Sequence, residues 1–443
     1  MSKYNREDIF RIVEEEDVAF IRLQFCDIFG MPKNLAITPS QLEKALNNEI
    51  MFDGSSVEGF VRTDESDMYL YPDIDTFEIY PWRPQSGKVA RMFCNVYTLD
   101  RQPFQGDPRN VLKRVLEDAG KMGLQFKVDP ELEFFLFGCD DDGRPVATSH
   151  ENAGYFDVAP SDWGENVRRD IILNLEDMNF QVASSHHEIA PAQHEIDFDA
   201  ESADRIADMI MTFKMAVKTI AKKHGLYATF MPKPKEGVNG SGMHINIMAE
   251  DLDGKNLFYD EKDVLKLSET AYQFIAGVLD HMDGITLVTN PLVNSYKRLV
   301  PGYDAPVDIA WSGSSANRSA LIRIPSQKGA ETQIEIRNPD ATCNPYLALA
   351  LCLAAGMDGI RRKLTPPEEL HASVNADADN DMNPDRLPET LGEAIEAYSK
   401  DEFVKSVLGD QIYRKFLTAK KKEWREFRMC VTQWELKEYL DQY

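Results

Sequence analysis

The chain lacks most of the features that classify a protein at a glance. Its six cysteines (Cys26, Cys94, Cys139, Cys343, Cys352, Cys430) include no CxxC pair, which argues against a zinc site or disulfide framework and for reduced thiols in a cytoplasmic protein. No apolar run is long enough to span a bilayer; the longest, Leu347 to Met357 (LALALCLAAGM), predicts a buried helix. Basic residues are in deficit, 49 Lys and Arg against 74 Asp and Glu, for a net charge of −25. Nucleic acid and anionic membranes both need a basic footprint, so neither is an expected partner. The charged opening MSKYNREDIFRIVEEEDV has no apolar stretch followed by a small-residue cleavage site, so no secretory signal is expected. There is no internal repeat, and no GxxxxGK[ST] phosphate loop.

What remains is a soluble composition, 43% hydrophobic and 28% charged, over 443 residues. That length exceeds what one core usually serves, so two domains are expected. Residues 18–25 and 89–97 predict strands, residues 39–47 a short helix, and MFDGSSVEGF (51–60) a Gly/Ser loop. Turn residues cluster in LDRQPFQGDPR (99–109), the candidate boundary, and residues 110–122 predict the helix beyond it. Further helices are expected at 166–178, 203–224, 268–283 and 344–363, and the polar, proline-containing segment 364–388 as a surface excursion.

Four stretches carry chemistry. In VDPELEFFLF (128–137), strand alternation puts Glu131, Glu133, Phe135 and Phe137 on one face and Leu132, Phe134 and Leu136 on the other. Alone, the two glutamates equally fit a strand end emerging into water. In SSHHEIAPAQHEIDFD (184–199), Pro191 breaks any helix, while Glu195, Asp197 and Asp199 alternate with Ile196 and Phe198. Glu188 and Glu195 flank a turn that can fold them together; His186 and His187 fit solvated or core positions as well as a site. KPKEGVNGSGMHINI (233–247) runs a glycine loop into a strand with His244 and Asn246 on one face. Residues 296–337 hold six Lys/Arg against four Asp/Glu, a local excess of arginine suited to carboxylate or phosphate. There Gln333, Glu335 and Arg337 share a strand face, a pattern that solvent exposure also explains.

Glutamates in excess with at most one histidine suit Mg²⁺ or Mn²⁺ rather than zinc. Together with arginines and a glycine loop they predict a metal-dependent, ATP-using enzyme with an anionic co-substrate.

At these residues the sequence resembles the glutamine synthetase family, type I in its short (alpha) form of bacteria and archaea. MFDGSS, ESDMYLYPD, PELEFFLF, GYFD, SHHE, AQHEID, NGSGMH, NSYKRLVPGY, NRS, IRIP and NPYLALA occur in the family's order over nearly the whole chain. The resemblance implies an α+β fold: an N-terminal β-grasp domain (1–103) and a C-terminal catalytic α/β domain (104–443) with a curved antiparallel sheet. It implies a homo-dodecamer of two hexameric rings with active sites between subunits, ATP, L-glutamate and ammonium as substrates, and two or more Mg²⁺ or Mn²⁺ ions.

By that resemblance Glu133, Glu188 and Glu195 match the ligands of one metal, and Glu131, His244 and Glu335 those of the other. Asn239, Gly240, Arg298 and Arg318 match glutamate-binding positions, with Arg337 near the reacting carboxylate. Asn246, Arg318, Arg323 and Lys328 match nucleotide contacts. Asp53 matches the acid that a neighbouring subunit lends to the ammonium site, with Ser56 and Tyr155 as companions. ATP would phosphorylate the γ-carboxylate, and ammonia would displace phosphate.

Several positions depart from the family. The flap reads PGYDAP, so Asp304 stands in place of a glutamate and withdraws its carboxylate by one methylene. WSGSSANRS is about two residues longer than usual; Ala183 stands where a glutamate is common, Met248 where a serine is usual, and Gln333 where an arginine is frequent. The insertion bearing an adenylylation site is missing, which leaves glutamine feedback through Arg62, and a nitrogen transcription regulator is a possible partner. Two alternatives stay open: a γ-glutamyl amine ligase using a larger amine, and a non-catalytic glutamine or ammonium sensor.

Overall fold

A computed structural model describes residues 3–57, 59, 67–140, 142–146, 151–314, 317–371 and 385–443. Arg62 and most of the polar 364–388 segment lie outside the described residues.

The N-terminal part is a six-stranded mixed sheet: β1 (Val18–Cys26), β2 (Pro32–Ile37), β3 (Ile50–Asp53), β4 (Asp67–Pro72), β5 (Glu78–Ile79) and β6 (Lys88–Tyr97). Its order is β2-β1-β6-β4-β3 with β5 beside β6, and β1 runs parallel to β6. Alternation along β1 and β6 sends Ile21, Leu23, Ala90, Met92 and Cys94 inward, where helix α1 (Arg6–Glu15) contributes Ile9 and Val13 to the same core. Asn5 and Asp8 close a capping box at the start of α1. Two of the expected elements, 18–25 and 89–97, are strands of this sheet, and the expected helix at 39–47 contains α2 (Leu42–Leu46). The Gly/Ser loop starts later than expected, because Met51 to Asp53 pair with β4 as part of β3.

The second sheet has ten strands: β7 (Gln125–Cys139), β8 (Pro145–Val146), β9 (Val182–His187), β10 (Gln193–Phe198), β11 (Glu201–Ser202), β12 (Tyr227–Thr229), β13 (Met243–Glu250), β14 (Asp308–Ser312), β15 (Ala320–Arg323) and β16 (Ile334–Ile336). Its main path is β14-β15-β16-β13-β7-β10-β9, antiparallel except between β14 and β15. Glu131 and Glu133 therefore sit on β7, the strand that carries most of the pairing.

Helices α3 (Pro108–Lys121), α4 (Glu165–Glu176), α5 (Ala203–Lys223), α6 (Glu269–Thr289), α7 (Pro345–Arg362), α8 (Leu391–Lys400) and α9 (Glu402–Arg428) share the core on the face opposite those glutamates, and α10 (Gln433–Tyr439), with no buried residue, follows them. Leu132, Phe134 and Leu136 enter this main core, whereas Phe135 and Phe137 pack in a separate small cluster with Ala190 and Ala192. Helix α6 runs six residues past its expected end, because Ile285, Leu287 and Val288 are wholly buried and extend the apolar stripe. It crosses α7 closely: a Cβ on Gly277 would lie 2.2 Å from Ala355 O and 2.7 Å from Gly359 Cα.

Polar groups tie the two sheets together. Asn344 caps α7 by accepting from Tyr346 N, while its Nδ2 donates to Asp27 O (3.1 Å) and Ile28 O (3.3 Å) after β1. Arg109, 4% exposed, donates to both oxygens of Asp208 (3.0 and 2.7 Å), to Asp73 (2.9 Å) and to Asn95 (2.8 Å). Among the described residues no helix is long and apolar enough to cross a membrane.

Candidate active site

Cross-strand register brings the predicted carboxylates together. On neighbouring strands Glu133 faces Glu195, Glu131 faces His244 on one side and Asp197 on the other, and Glu335 faces Asn246 and Arg323. Facing side chains in such a ladder stand about 5 Å apart, so like charges opposite one another repel unless something positive lies between them.

A cleft of about 230 Å³ opens over this ladder. Glu131, Glu133, Glu188, Glu195 and His244 line it, with Arg298, Arg318, Arg323 and Arg337 and with Tyr155, Asn239, Gly240 and Asp304. Glu335 lies beneath it, wholly buried rather than solvated, held by Arg323 Nη2 (2.8 Å) and by His244 Nδ1 (3.2 Å). His244 Nδ1 is also 3.1 Å from Glu131 Oε2, and Asn246 Nδ2 donates to Glu131 Oε1 at 2.9 Å.

At the cleft two groups of ligand atoms lie close enough to share an ion: Glu131, His244 and Glu335, and His186, Glu188 and Glu195. The two groups are electrostatically unlike. Burial alone would raise Glu335, but His244, Arg337 and Arg323 pull it down to about 2. Burial and then Glu133 lift Glu188 to about 8, and burial followed by Asp197, Glu133, Glu131 and Glu188 drives Glu195 well above the carboxylate range. Carboxylates crowded at this depth fit a resident cation, and oxygen donors with one imidazole per group fit a hard divalent ion.

The arginine side is arranged differently. Arg298, 3% exposed, donates to Asn338 O (2.8 Å) and Arg337 O (3.0 Å), and Arg337 donates to Arg318 O (2.7 Å) and Asp304 O (2.9 Å). Burial pushes Arg337 down to about 10, and its Nε, 3.4 Å from Glu335 Oε1, has no hydrogen-bond partner. Backbone carbonyls thus hold both guanidinium groups in place with donor capacity left over. Glycine is required beside them: a Cβ on Gly240 would meet Pro232 O at 2.2 Å, and one on Gly242 would meet Arg298 Nη2 at 2.4 Å.

Residues 105–439 match the family model for the glutamine synthetase catalytic domain, and residues 17–99 that for the glutamine synthetase beta-Grasp domain. The chain belongs to the glutamine synthetase family. A glutamine synthetase of Clostridium saccharobutylicum is 55% identical over 446 residues, with 100% of each chain covered. One from Staphylococcus aureus (strain Mu50) is 53% identical over 99% of each chain, which places this chain with the bacterial type I members of the family. Among solved structures, one titled GmaS/ADP complex-Conformation 1 superposes with a TM-score of 0.89 at 31% identity, covering 98% of this chain and 99% of that one. A Plasmodium falciparum glutamine synthetase superposes at 0.87 and 23% identity over 99% of each chain, a likeness of fold.

Other family-matched residues lie apart from the cleft lining. Asp53 is exposed at the end of β3, its Oδ1 accepting from Ser55 N, and Ser56 is exposed beside it; neither lines the cleft of its own chain. Lys328 Nζ donates to Pro325 O (2.6 Å) and is not among the cleft-lining residues. Ala183 is exposed on β9 and Met248 is buried on β13. Ser315 and Ala316, in the longer WSGSSANRS segment, lie outside the described residues. Arg318 beyond them is exposed and lines the cleft.

Sequence reasoning missed Gln193, whose Nε2 joins Glu133 Oε2 (2.9 Å) to Gly240 O (3.0 Å). The period of two that selects Glu195 also selects Gln193, so the signal was present. It also left His186 and His187 undivided. His186 faces the cleft carboxylates at 3.4 and 3.5 Å, while His187 is wholly buried 3.3 Å from Glu151, next to His194. His194 Nδ1 in turn lies 2.8 Å from Arg168, which binds Asp162 at 2.7 Å. These buried pairs sit directly behind Glu188 and Glu195 and hold their strands.

Proposed function

We propose that this chain ligates ammonia to L-glutamate with ATP, giving L-glutamine, ADP and phosphate through γ-glutamyl phosphate, in nitrogen assimilation in the cytoplasm. The observation that carries the reading is the gathering of five of the six metal-matched residues and four arginines in one cleft, with the sixth, Glu335, directly beneath.

In this reading Glu133, Glu188 and Glu195 hold one Mg²⁺ or Mn²⁺ ion, and Glu131, His244 and Glu335 another. Such ions supply charge neutralisation between the carboxylates and the polyphosphate. Arg298, Arg318, Asn239 and Gly240 orient glutamate, and Arg337 steadies the γ-carboxylate as its oxygen attacks the terminal phosphorus. Arg323, Asn246 and Lys328 serve the nucleotide. Ammonia then attacks the acyl carbon and phosphate leaves. Ammonium must first lose a proton, a task for carboxylates at the cleft mouth, Asp304 and Asp53 of a neighbouring copy. Asp53 lies off its own chain's cleft, which supports an oligomer that shares sites, a dodecamer of two rings, with Ser56 and Tyr155 at the contact. Glutamine feedback through Arg62 and binding of a nitrogen transcription regulator complete the proposal.

The shorter Asp304 favours a second reading, a γ-glutamyl amine ligase taking a larger amine. Phosphate release with ATP, Mg²⁺ and glutamate, compared between ammonium and a panel of amines, separates the two when the product is weighed by mass spectrometry. Glutamine from ammonium supports the first reading; a product from an amine alone supports the second, and no turnover would sink both.

A further inference from the structure

Lys233 joins two segments that are far apart in sequence. Its backbone N donates to Asn294 Oδ1 (2.8 Å) and Asn294 Nδ2 donates back to Lys233 O (3.0 Å), which fixes the residue against the chain after α6. From there the side chain reaches the cleft mouth, where Nζ donates to Val238 O and lies 3.7 Å from the centre of the Tyr303 ring. Val238 packs against the Phe135, Phe137, Ala190 and Ala192 cluster and immediately precedes Asn239 and Gly240. Tyr303 precedes Asp304 in a turn whose Pro301, Gly302 and Asp304 are exposed. The two segments also meet where Asn239 Nδ2 stands 3.5 Å from Asp304 Oδ2.

We propose that Lys233 is a positioning residue that latches the 301–304 turn onto the 238–240 loop and so keeps water out of the cleft while the acyl phosphate waits for ammonia. The proposal rests on the reading of the cleft as the place where glutamate is phosphorylated. An ammonium has three donors and Val238 O takes one; the face of the Tyr303 ring receives the charge that remains. When the turn lifts, Lys233 must exchange that ring for solvent. A cation–π contact of this kind biases such an equilibrium toward the closed form by roughly 2- to 30-fold.

Loss of the latch has a specific chemical consequence. Water's oxygen attacks the acyl carbon of γ-glutamyl phosphate, the bond from that carbon to the phosphate oxygen breaks, and a proton passes to solvent. Glutamate and inorganic phosphate result, so ATP is consumed without glutamine.

The test is the ratio of phosphate to glutamine formed by the full-length protein with ATP, Mg²⁺, saturating glutamate and limiting ammonium. The parent should release one phosphate per glutamine. Lys233→Met and Tyr303→Leu should each raise that ratio above the parent's, because the excess of phosphate over glutamine grows by roughly 2- to 30-fold with the open form, whereas Lys233→Arg and Tyr303→Phe, which keep the cation and the ring, should match the parent. A merely structural role would lower turnover and leave the ratio alone. Ratios of one in both disruptive variants overturn the latch, whatever their turnover. Should Lys233→Met fail to fold, Tyr303→Leu decides alone, because it leaves the Lys233 to Val238 bond in place. A parent that forms no glutamine overturns the reading of the cleft as well as the latch, and that result is distinct from a coupled parent with coupled variants.

Discussion

Replacing Glu188 by glutamine should stabilise the metal-free protein at neutral pH and remove the part of a divalent cation's stabilisation that comes from the Glu133, Glu188 and Glu195 site. Glu188 is 9% exposed, and burial followed by the Glu133 charge lifts it from the usual 4.5 to about 8. A carboxyl raised in this way keeps a proton in the folded state that the unfolded chain releases. Its cost is therefore absent below about pH 4.5, grows as pH rises towards 8, and is constant above that. At pH 7 about two and a half units of that interval have been crossed at about 1.4 kcal/mol each, so the cost is on the order of 3 kcal/mol. Glutamine has nearly the same volume and its carbonyl can still accept from Ile189 N, which Glu188 Oε2 now does at 3.0 Å.

The assay is urea unfolding at fixed protomer concentration, in chelator and in Mg²⁺, at pH 5 and pH 7. In chelator at pH 7 the variant should exceed the parent by about 3 kcal/mol, and at pH 5 by only about 1 kcal/mol. With Mg²⁺ the variant's advantage should shrink, because only the parent gains from the site that Glu188 completes. A variant no more stable than the parent in chelator at pH 7, or one that still gains fully from the cation, refutes the assignment of Glu188 to a cation site.

Arg109→Met should destabilise the fold by about 3–5 kcal/mol, because it leaves Asp208 buried and charged without its partner; a loss under about 1 kcal/mol in urea unfolding would remove the ion pair from its place as a tie between the two sheets. Gly277→Ala should lower the thermal midpoint through a loss of about 1–3 kcal/mol, since the new methyl meets the backbone of α7 rather than a movable side chain. Glu133→Ala should abolish turnover and weaken cation-dependent stabilisation together, and unchanged turnover would end its assignment as a ligand. Asp53→Ala should also be inactive alone, yet regain activity when mixed and reassembled with Glu133→Ala subunits, because one intact site then draws on both; no recovery argues against shared sites.

The fold was legible where local pattern and tertiary demand agree. The alternation in VDPELEFFLF predicted two faces, and the structure separates Leu132, Phe134 and Leu136 from Phe135 and Phe137 into different cores. Pro191 marked the turn between β9 and β10, and the apolar run 347–357 lies inside α7 as expected. What the residues alone could not give was register. Nothing near Glu335 indicates that Arg323 and Asn246 will face it, so its strand face fitted solvent as well as a site, and only the β15-β16-β13 pairing decides for burial. The same holds for Arg168, which reaches Asp162 and His194 from a helix whose sequence shows only an amphipathic stripe with a buried arginine on it.

The two sides of the cleft are prepared in opposite ways. Arg298 and Arg337 are fixed before any ligand arrives, because carbonyl oxygens of Asn338, Arg337, Arg318 and Asp304 hold their guanidinium groups; a bound carboxylate or phosphate need not order them. Glu188 and Glu195 are instead buried among Glu133, Glu131 and Asp197, with His186 as the nearest partner, and without a cation their crowding is relieved by keeping protons. A polyphosphate approaching that side first would add like charge to like charge, whereas a cation bound first turns the same carboxylates into its anchor. Under the proposed function the cation would therefore precede the phosphates on the acidic half, while the arginine half, already set, would need no such step before glutamate. Buried His187 and His194 hold β9 and β10 through Glu151, Arg168 and Asp162, so the strands that carry these carboxyls keep their place before any cation arrives.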